Sequence, residues 1–220
     1  SGPPTARCLI VVTPDAERTL NTYLGIAGLL GPDDIDEAVV TSAQYVLVEG
    51  YLWDVDTAKA AIVKAMDLAH TAGNKTAFSL SDSFCVGRFR EEFKTLVDER
   101  VDVLFANEAE ITSLYEVDDF DAALAEVQGR CELACLTRGE KGSVLVTVDE
   151  VVEVPAVPTE LVDTTGAGDL YAAGVLYGLT HGKDLQTAGR LGALGASEVI
   201  SHLGPRPEAD LKVLAADLLA

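Results

Sequence analysis

The chain is poor in the residues from which metal, redox and nucleic-acid sites are usually built. Of 220 residues only 3 are His and 4 are Cys. Cys8, Cys85, Cys131 and Cys135 include no Cys-x-x-Cys pair, and no His stands near Cys131 and Cys135 to complete a zinc site. The pattern is that of buried, reduced thiols in a cytoplasmic protein. Basic residues are also scarce: 16 Lys and Arg stand against 36 Asp and Glu, a formal net charge of −20. This argues against a nucleic-acid polymer as partner, because phosphate contacts need clustered Lys and Arg. It does not exclude ATP, whose phosphates backbone amides and a metal ion can hold. No apolar run reaches membrane-spanning length, and no signal peptide, internal repeat, low-complexity segment or linker is visible. Aromatic residues make up only 6%.

What is abundant is Ala, Val and Leu. The chain is 48% hydrophobic, enough for one domain with a real core. Ala6–Thr13 and Thr19–Leu24 read as the strands of a hairpin. Further strands are expected at Tyr45–Tyr51, Thr76–Leu80, Val101–Ala106, Leu133–Leu136, Ser143–Val148 and Val151–Pro155. Helices are expected at Ile35–Ser42, Asp56–Ala72, Phe89–Glu99, from Asn107 onward, at Asp119–Gln128, Leu170–Leu179, Leu185–Ser201 and Glu208–Leu219. Strands alternating with helices predict an α/β fold, a mostly parallel sheet covered by helices on both faces. Ligands of such folds sit at the carboxyl ends of the strands, where the motifs below fall.

The most informative stretch is Asp163-Thr164-Thr165-Gly166-Ala167-Gly168-Asp169, between a strand and an apolar helix. The first N–H groups of a helix lack intrahelical partners and, with the helix dipole, favour anions. Gly166, Ala167 and Gly168 would turn amides toward a phosphate or toward developing negative charge. An acid beside such amides hinders passive phosphate binding. Asp169 makes sense there if it takes a proton from a nucleophile. The alternative is a tight loop with Asp as a helix cap. Tyr171 stands where a Rossmann turn has its third Gly, and no Gly-Lys-Ser/Thr follows, so neither of those phosphate motifs applies.

The whole string Asp-Thr-Thr-Gly-Ala-Gly-Asp resembles the signature of the PfkB carbohydrate kinase family, the ribokinase-like kinases. The resemblance covers essentially the whole chain. It is closest to the bacterial adenosine-kinase-like branch, on Glu49-Gly50-Tyr51-Leu52-Trp53, Leu80-Ser81-Asp82-Ser83-Phe84-Cys85 and Ala196-Ser197-Glu198-Val199-Ile200-Ser201-His202. It implies one ribokinase-like domain over residues 1–220, in which about 5–25 form a lid or edge hairpin. It implies an ATP- and Mg²⁺-dependent kinase acting on a primary hydroxyl of a small nucleoside or sugar, with adenosine the first acceptor to consider. Ribose, fructose or a sugar phosphate is the alternative.

By that resemblance Asp169 is the general base, and the amides of Gly166, Ala167 and Gly168 form the anion hole. Arg18 resembles an Arg that some members aim at the transferred phosphate; an exposed hairpin Arg is the alternative. Asn107 and Glu110 match an Asn-x-x-Glu motif that organises Mg²⁺ through water, although a plain helix start reads the same way. Thr137, Gly139 and Gly142 match a segment beside the nucleotide, and Ala193, Gly195 and Ala196 an adenine pocket. Close helix packing would equally explain the latter. Asp163, Thr165, Val199 and Gly204 fall where many members hold a monovalent cation such as K⁺. Members also carry roughly another hundred residues before this point, including a Gly-Gly segment that grips the sugar. A non-catalytic nucleotide-binding remnant is therefore a rival expectation, and an uncovered sheet edge would favour self-association, as a homodimer.

Overall fold

The computed structural model describes residues 2–16 and 18–219. An antiparallel hairpin, β1 (Arg7–Val12) and β2 (Arg18–Tyr23), comes first. There follow α1 (Glu37–Ser42), β3 (Tyr45–Glu49), α2 (Asp56–Thr71), β4 (Lys75–Ser79), α3 (Ser83–Glu99), β5 (Val103–Asn107), α4 (Glu108–Tyr115), α5 (Phe120–Val127) and β6 (Leu133–Thr137). The remainder is β7 (Ser143–Val146), β8 (Val151–Val154), α6 (Ala167–Thr180), α7 (Leu185–Val199), α8 (Leu211–Leu214) and α9 (Ala216–Leu219). The larger sheet runs β3-β4-β5-β6-β7-β8, and β3 to β6 pair in parallel. It is a mostly parallel sheet flanked by helices, with a small antiparallel sheet near the N-terminus, as the alternating pattern predicts.

The chain divides into two compact units. One comprises Ser1–Ala6, Leu24–Thr137 and Val146–Val151; the other Arg7–Tyr23, Arg138–Leu145 and Val152–Ala220. In the first, Phe78, Leu104 and Leu136 on neighbouring strands are fully buried. Helix α2 turns Ala58, Ala61, Ile62, Ala65, Met66 and Ala69 inward, the spacing of one helical face. Phe93 of α3 meets the ring of Phe78 edge-on at 5.1 Å and that of Trp53 at 6.0 Å. Just past the end of β3, a Cβ at Gly50 would lie 2.8 Å from the Leu80 carbonyl oxygen and 3.1 Å from Phe93 Cζ.

Several boundaries differ from expectation, each for a local reason. Helix α3 starts at Ser83 rather than Phe89, because the Asp82 carboxylate accepts the Cys85 N–H at 2.7 Å and caps it there. Phe89 marks a break inside it, with φ −120° and ψ 24°. Strand β5 starts at Val103 because Asp102 is taken up by Thr76 and His70. The expected helix Glu208–Leu219 is instead two short helices that start at Leu211. The N–H groups of Glu208 and Ala209 donate to the Glu198 side chain, and Asp210 caps α8.

Candidate active site

The second unit contains the turn into α6. Asp163 is buried and saturated with donors: its Oδ1 accepts the Thr165 N–H at 2.9 Å and hydroxyl at 2.6 Å, and its Oδ2 accepts the Gly204 N–H at 3.0 Å. Burial by itself would raise its pKa. The donors of Thr165 and Gly204, with the charge of Arg18, outweigh burial and hold it below the usual carboxylate value. Arg18 reaches the same turn, its Nη1 donating to the Thr164 hydroxyl. The Ile200 carbonyl accepts the N–H groups of Val162 and Asp163 at 2.9 and 3.3 Å.

Gly166 follows in a left-handed conformation, φ 85°, as the N-cap of α6. A Cβ there would lie 3.1 Å from Pro205, so both the dihedral and the space require glycine. The Ala167 N–H donates to the Thr164 carbonyl at 3.3 Å and is spent on the turn. The N–H groups of Gly166, Gly168 and Asp169 find no acceptor among the described residues. Gly168 is exposed, and a Cβ on it would meet nothing within 4 Å. Asp169, in the first turn of α6, presents its carboxylate to solvent. Among the described residues, then, the amides of Gly166, Gly168 and Asp169 are without an acceptor, whereas that of Ala167, expected to be turned outward with them, has one within the turn.

The other glycines have separate reasons. At Gly142, φ is 89° and a Cβ would lie 2.1 Å from the Val154 carbonyl oxygen, so that glycine serves packing. Gly139, φ 57°, faces open space. Thr137 ends β6. On α7, a Cβ on Gly192 or Gly195 would lie 2.8 Å from the Tyr171 carbonyl oxygen or 2.9 Å from that of Leu170. These glycines let α6 and α7 touch backbone to backbone, while Ala193 and Ala196 remain half-buried. Tyr171 anchors α6 further, donating its buried hydroxyl to Ser143 on β7 at 2.8 Å. An apolar cavity of about 280 Å³ lies between α6, α7 and the two last helices, beside Leu170, Leu194 and Leu211.

In the first unit, Asn107 and Glu110 form a reciprocal cap on α4. The Asn107 side-chain oxygen accepts the Glu110 N–H at 2.9 Å. The Glu110 carboxylate accepts the Asn107 N–H at 2.8 Å and its side-chain amide at 2.7 Å. Burial pushes the Glu110 pKa up to about 7, against the Asn107 hydrogen bond and with help from the charge of Asp82. At the carboxyl ends of β3 and β4 stand Tyr51 and Phe84, 53% and 73% exposed. The Tyr51 N–H donates to Ser81 Oγ at 3.3 Å.

Residues 1–211 match the pattern of the pfkB family carbohydrate kinases. The chain belongs to the pfkB family. It is 49% identical to the adenosine kinase of Sinorhizobium meliloti, with a TM-score of 0.95 over 99% of this chain and 67% of that one. An adenosine kinase of Anopheles gambiae, solved with P1,P4-di(adenosine-5) tetraphosphate, is 25% identical, with a TM-score of 0.81 over 93% of this chain and 65% of that one. The 5-dehydro-2-deoxygluconokinase of Listeria monocytogenes is 28% identical over 87% of this chain and 61% of its own length. The chain thus spans about two thirds or less of the relatives it matches.

Within this pfkB chain, Arg18, Asp163, Thr165, Gly166 and Gly204 converge on the turn that opens α6. Val199 is buried in the last turn of α7. Three of the roughly four lone-pair directions of Asp163 face N–H or O–H donors. Among the described residues no group of three or more His, Cys, Asp or Glu side chains could hold a metal ion. The sequence places Tyr51 and Phe84 in the segments that carry the resemblance and Tyr171 in the glycine motif without giving any of them a role, and it does not single out Pro205. The two exposed aromatics could have been noticed as large rings at strand ends within polar turns; Tyr171 and Pro205 carry no such signal.

Proposed function

We propose that this pfkB chain contributes the phosphoryl-transfer and nucleotide-binding part of an ATP-dependent kinase that phosphorylates a primary hydroxyl of a nucleoside. One observation carries the reading. The solvent-facing carboxylate of Asp169 adjoins N–H groups, at the start of α6, that have no acceptor among the described residues. Asp169 accepts the proton of the attacking hydroxyl. The amides of Gly166, Gly168 and Asp169 stabilise the charge on the transferring phosphoryl group, and Arg18 adds positive charge near that turn. Mg²⁺, when bound with ATP, would neutralise charge on the phosphates. By the family resemblance Glu110 with Asn107 would hold water for that ion, and Thr137, Gly139, Ala193 and Ala196 would serve nucleotide binding.

Two features support a nucleoside, adenosine first, over a plain sugar. Tyr51 and Phe84 are exposed aromatic side chains of the kind on which a base stacks, the Phe84 ring also carrying the Arg88 guanidinium at 4.7 Å. The Sinorhizobium meliloti adenosine kinase is 49% identical to this chain over the two thirds of its length that this chain covers. The decisive experiment compares phosphate transfer from ATP to adenosine, ribose and fructose by the wild-type protein and by Asp169→Asn. Since a positioned general base is worth about 10²–10⁴ in rate, the variant should lose at least a hundredfold in kcat and still bind ATP. A variant that keeps more than about a tenth of the rate removes Asp169 from the role of base. Transfer to ribose in preference to adenosine rejects the nucleoside reading.

A further inference from the structure

Glu198 is placed where helix stability argues against it. It lies in the last turn of α7, where an acid meets the negative end of the helix dipole. Its side chain is only 7% exposed. Such a position needs another reason, and its hydrogen bonds supply one. Glu198 Oε1 accepts the backbone N–H groups of both Glu208 and Ala209 at 2.8 Å, and His202 Nε2 lies 3.4 Å from the same oxygen. The carboxylate closes residues 200–209 into a loop that begins and ends at α7.

Among the described residues, that loop and Arg18 make the long-range ties of the turn into α6. The Ile200 carbonyl holds the Val162 and Asp163 amides. The Gly204 N–H holds Asp163 Oδ2. Pro205 packs over Gly166, the left-handed residue that sets the direction of the first α6 amides. Neither Gly204 nor Pro205 has a side chain able to hold the loop in place; the loop leaves directly from α7, and Glu198 ties its far end back to that helix.

We infer that Glu198 is a positioning residue for phosphoryl transfer: through the 200–209 loop it fixes Asp163 and Gly166, and with them the amides beside Asp169. This rests on the kinase reading above. It differs from a purely stabilising role, because a loosened loop would misplace the amides without removing any group that touches substrate. A misplacement of about 1 Å can cost a hundredfold in rate.

The test uses Glu198→Ala and Glu198→Gln in the full chain, with two readouts. The Gln side-chain oxygen can still accept both N–H groups; Ala cannot. Glu198→Ala should lower kcat at saturating ATP and acceptor by about tenfold to a hundredfold, with KM for ATP changed less than about threefold. Glu198→Gln should restore most of the rate. Hydrogen exchange at the amides of Val162, Asp163 and Thr165 should quicken by about tenfold or more in the Ala variant and stay near wild type in the Gln variant. Should Glu198→Ala not fold, Glu208→Pro removes one donor with Glu198 intact, and should show the same two effects in weaker form. Unchanged exchange, or faster exchange with unchanged kcat, overturns the inference while leaving the kinase reading in place. A wild-type protein that transfers phosphate to no nucleoside or sugar overturns both.

Discussion

Arg18 and Thr164 stand 146 positions apart in sequence, and the guanidinium of the first donates to the hydroxyl of the second. Through this contact the hairpin strand β2 bears directly on the turn that opens α6. Arg18 also adds to the forces that hold Asp163 ionised. The turn is therefore braced from two sides, by Arg18 and by the loop around Gly204.

Loss of the Arg18 brace should be read in kcat. Arg18→Ala is expected to reduce kcat by about tenfold or more with a small effect on thermal stability, since exposed polar contacts contribute about 0–1 kcal/mol. Arg18→Lys should recover little, because a lysine offers a point charge on a shorter reach and no planar fork. Steady-state kinetics on both variants decide the matter, and a wild-type kcat in Arg18→Ala would reduce Arg18 to a surface residue of the hairpin.

Gly195 separates helix packing from base binding. An added Cβ would lie 2.9 Å from the Leu170 carbonyl oxygen, so Gly195→Ala should push α7 from α6 at a cost of about 1–3 kcal/mol in stability. Urea denaturation measures this. If stability holds and KM for ATP rises instead, Gly195 lines the base pocket and the packing explanation fails.

Glu110 gives a dependence on pH whose direction follows from its burial. Its carboxyl titrates near 7 when folded and near 4.5 when free. Between those values the folded chain keeps a proton that the unfolded chain has released. This group's contribution to stability therefore falls as pH rises from about 4.5 to about 7 and is level above. Glu110→Gln lacks that titration. In metal-free buffer the stability difference between the two proteins should move in favour of the variant by on the order of 3 kcal/mol between pH 4.5 and 8. A difference that does not vary with pH would show that the carboxyl titrates normally. With ATP present, the same variant should need more Mg²⁺ for half-maximal rate; an unchanged Mg²⁺ titration would leave Glu110 as a helix cap and nothing more.

Much of this protein was determined by local sequence. The alternation of β-branched runs with apolar helices implied a parallel α/β sheet, because period and length are properties of consecutive residues. The cap formed by Asn107 and Glu110 and the left-handed Gly166 likewise follow from neighbours within a few positions, so their motifs were legible. Local pattern failed where a side chain answered to a distant partner. The chain around Glu208 and Ala209 is helical by composition, yet their N–H groups turn to Glu198 and the helix starts later.

What only the tertiary structure decided is how the turn before Asp169 is held. Gly204 donates to Asp163 across 41 positions, Pro205 covers Gly166, and Arg18 reaches Thr164. The Gly204 amide is a group every residue but proline carries, and Arg18 and Thr164 lie far apart in the chain, so the sequence does not show which groups pair. Their partners meet only after the chain has folded, and desolvation then makes each buried donor and acceptor costly to leave unpaired.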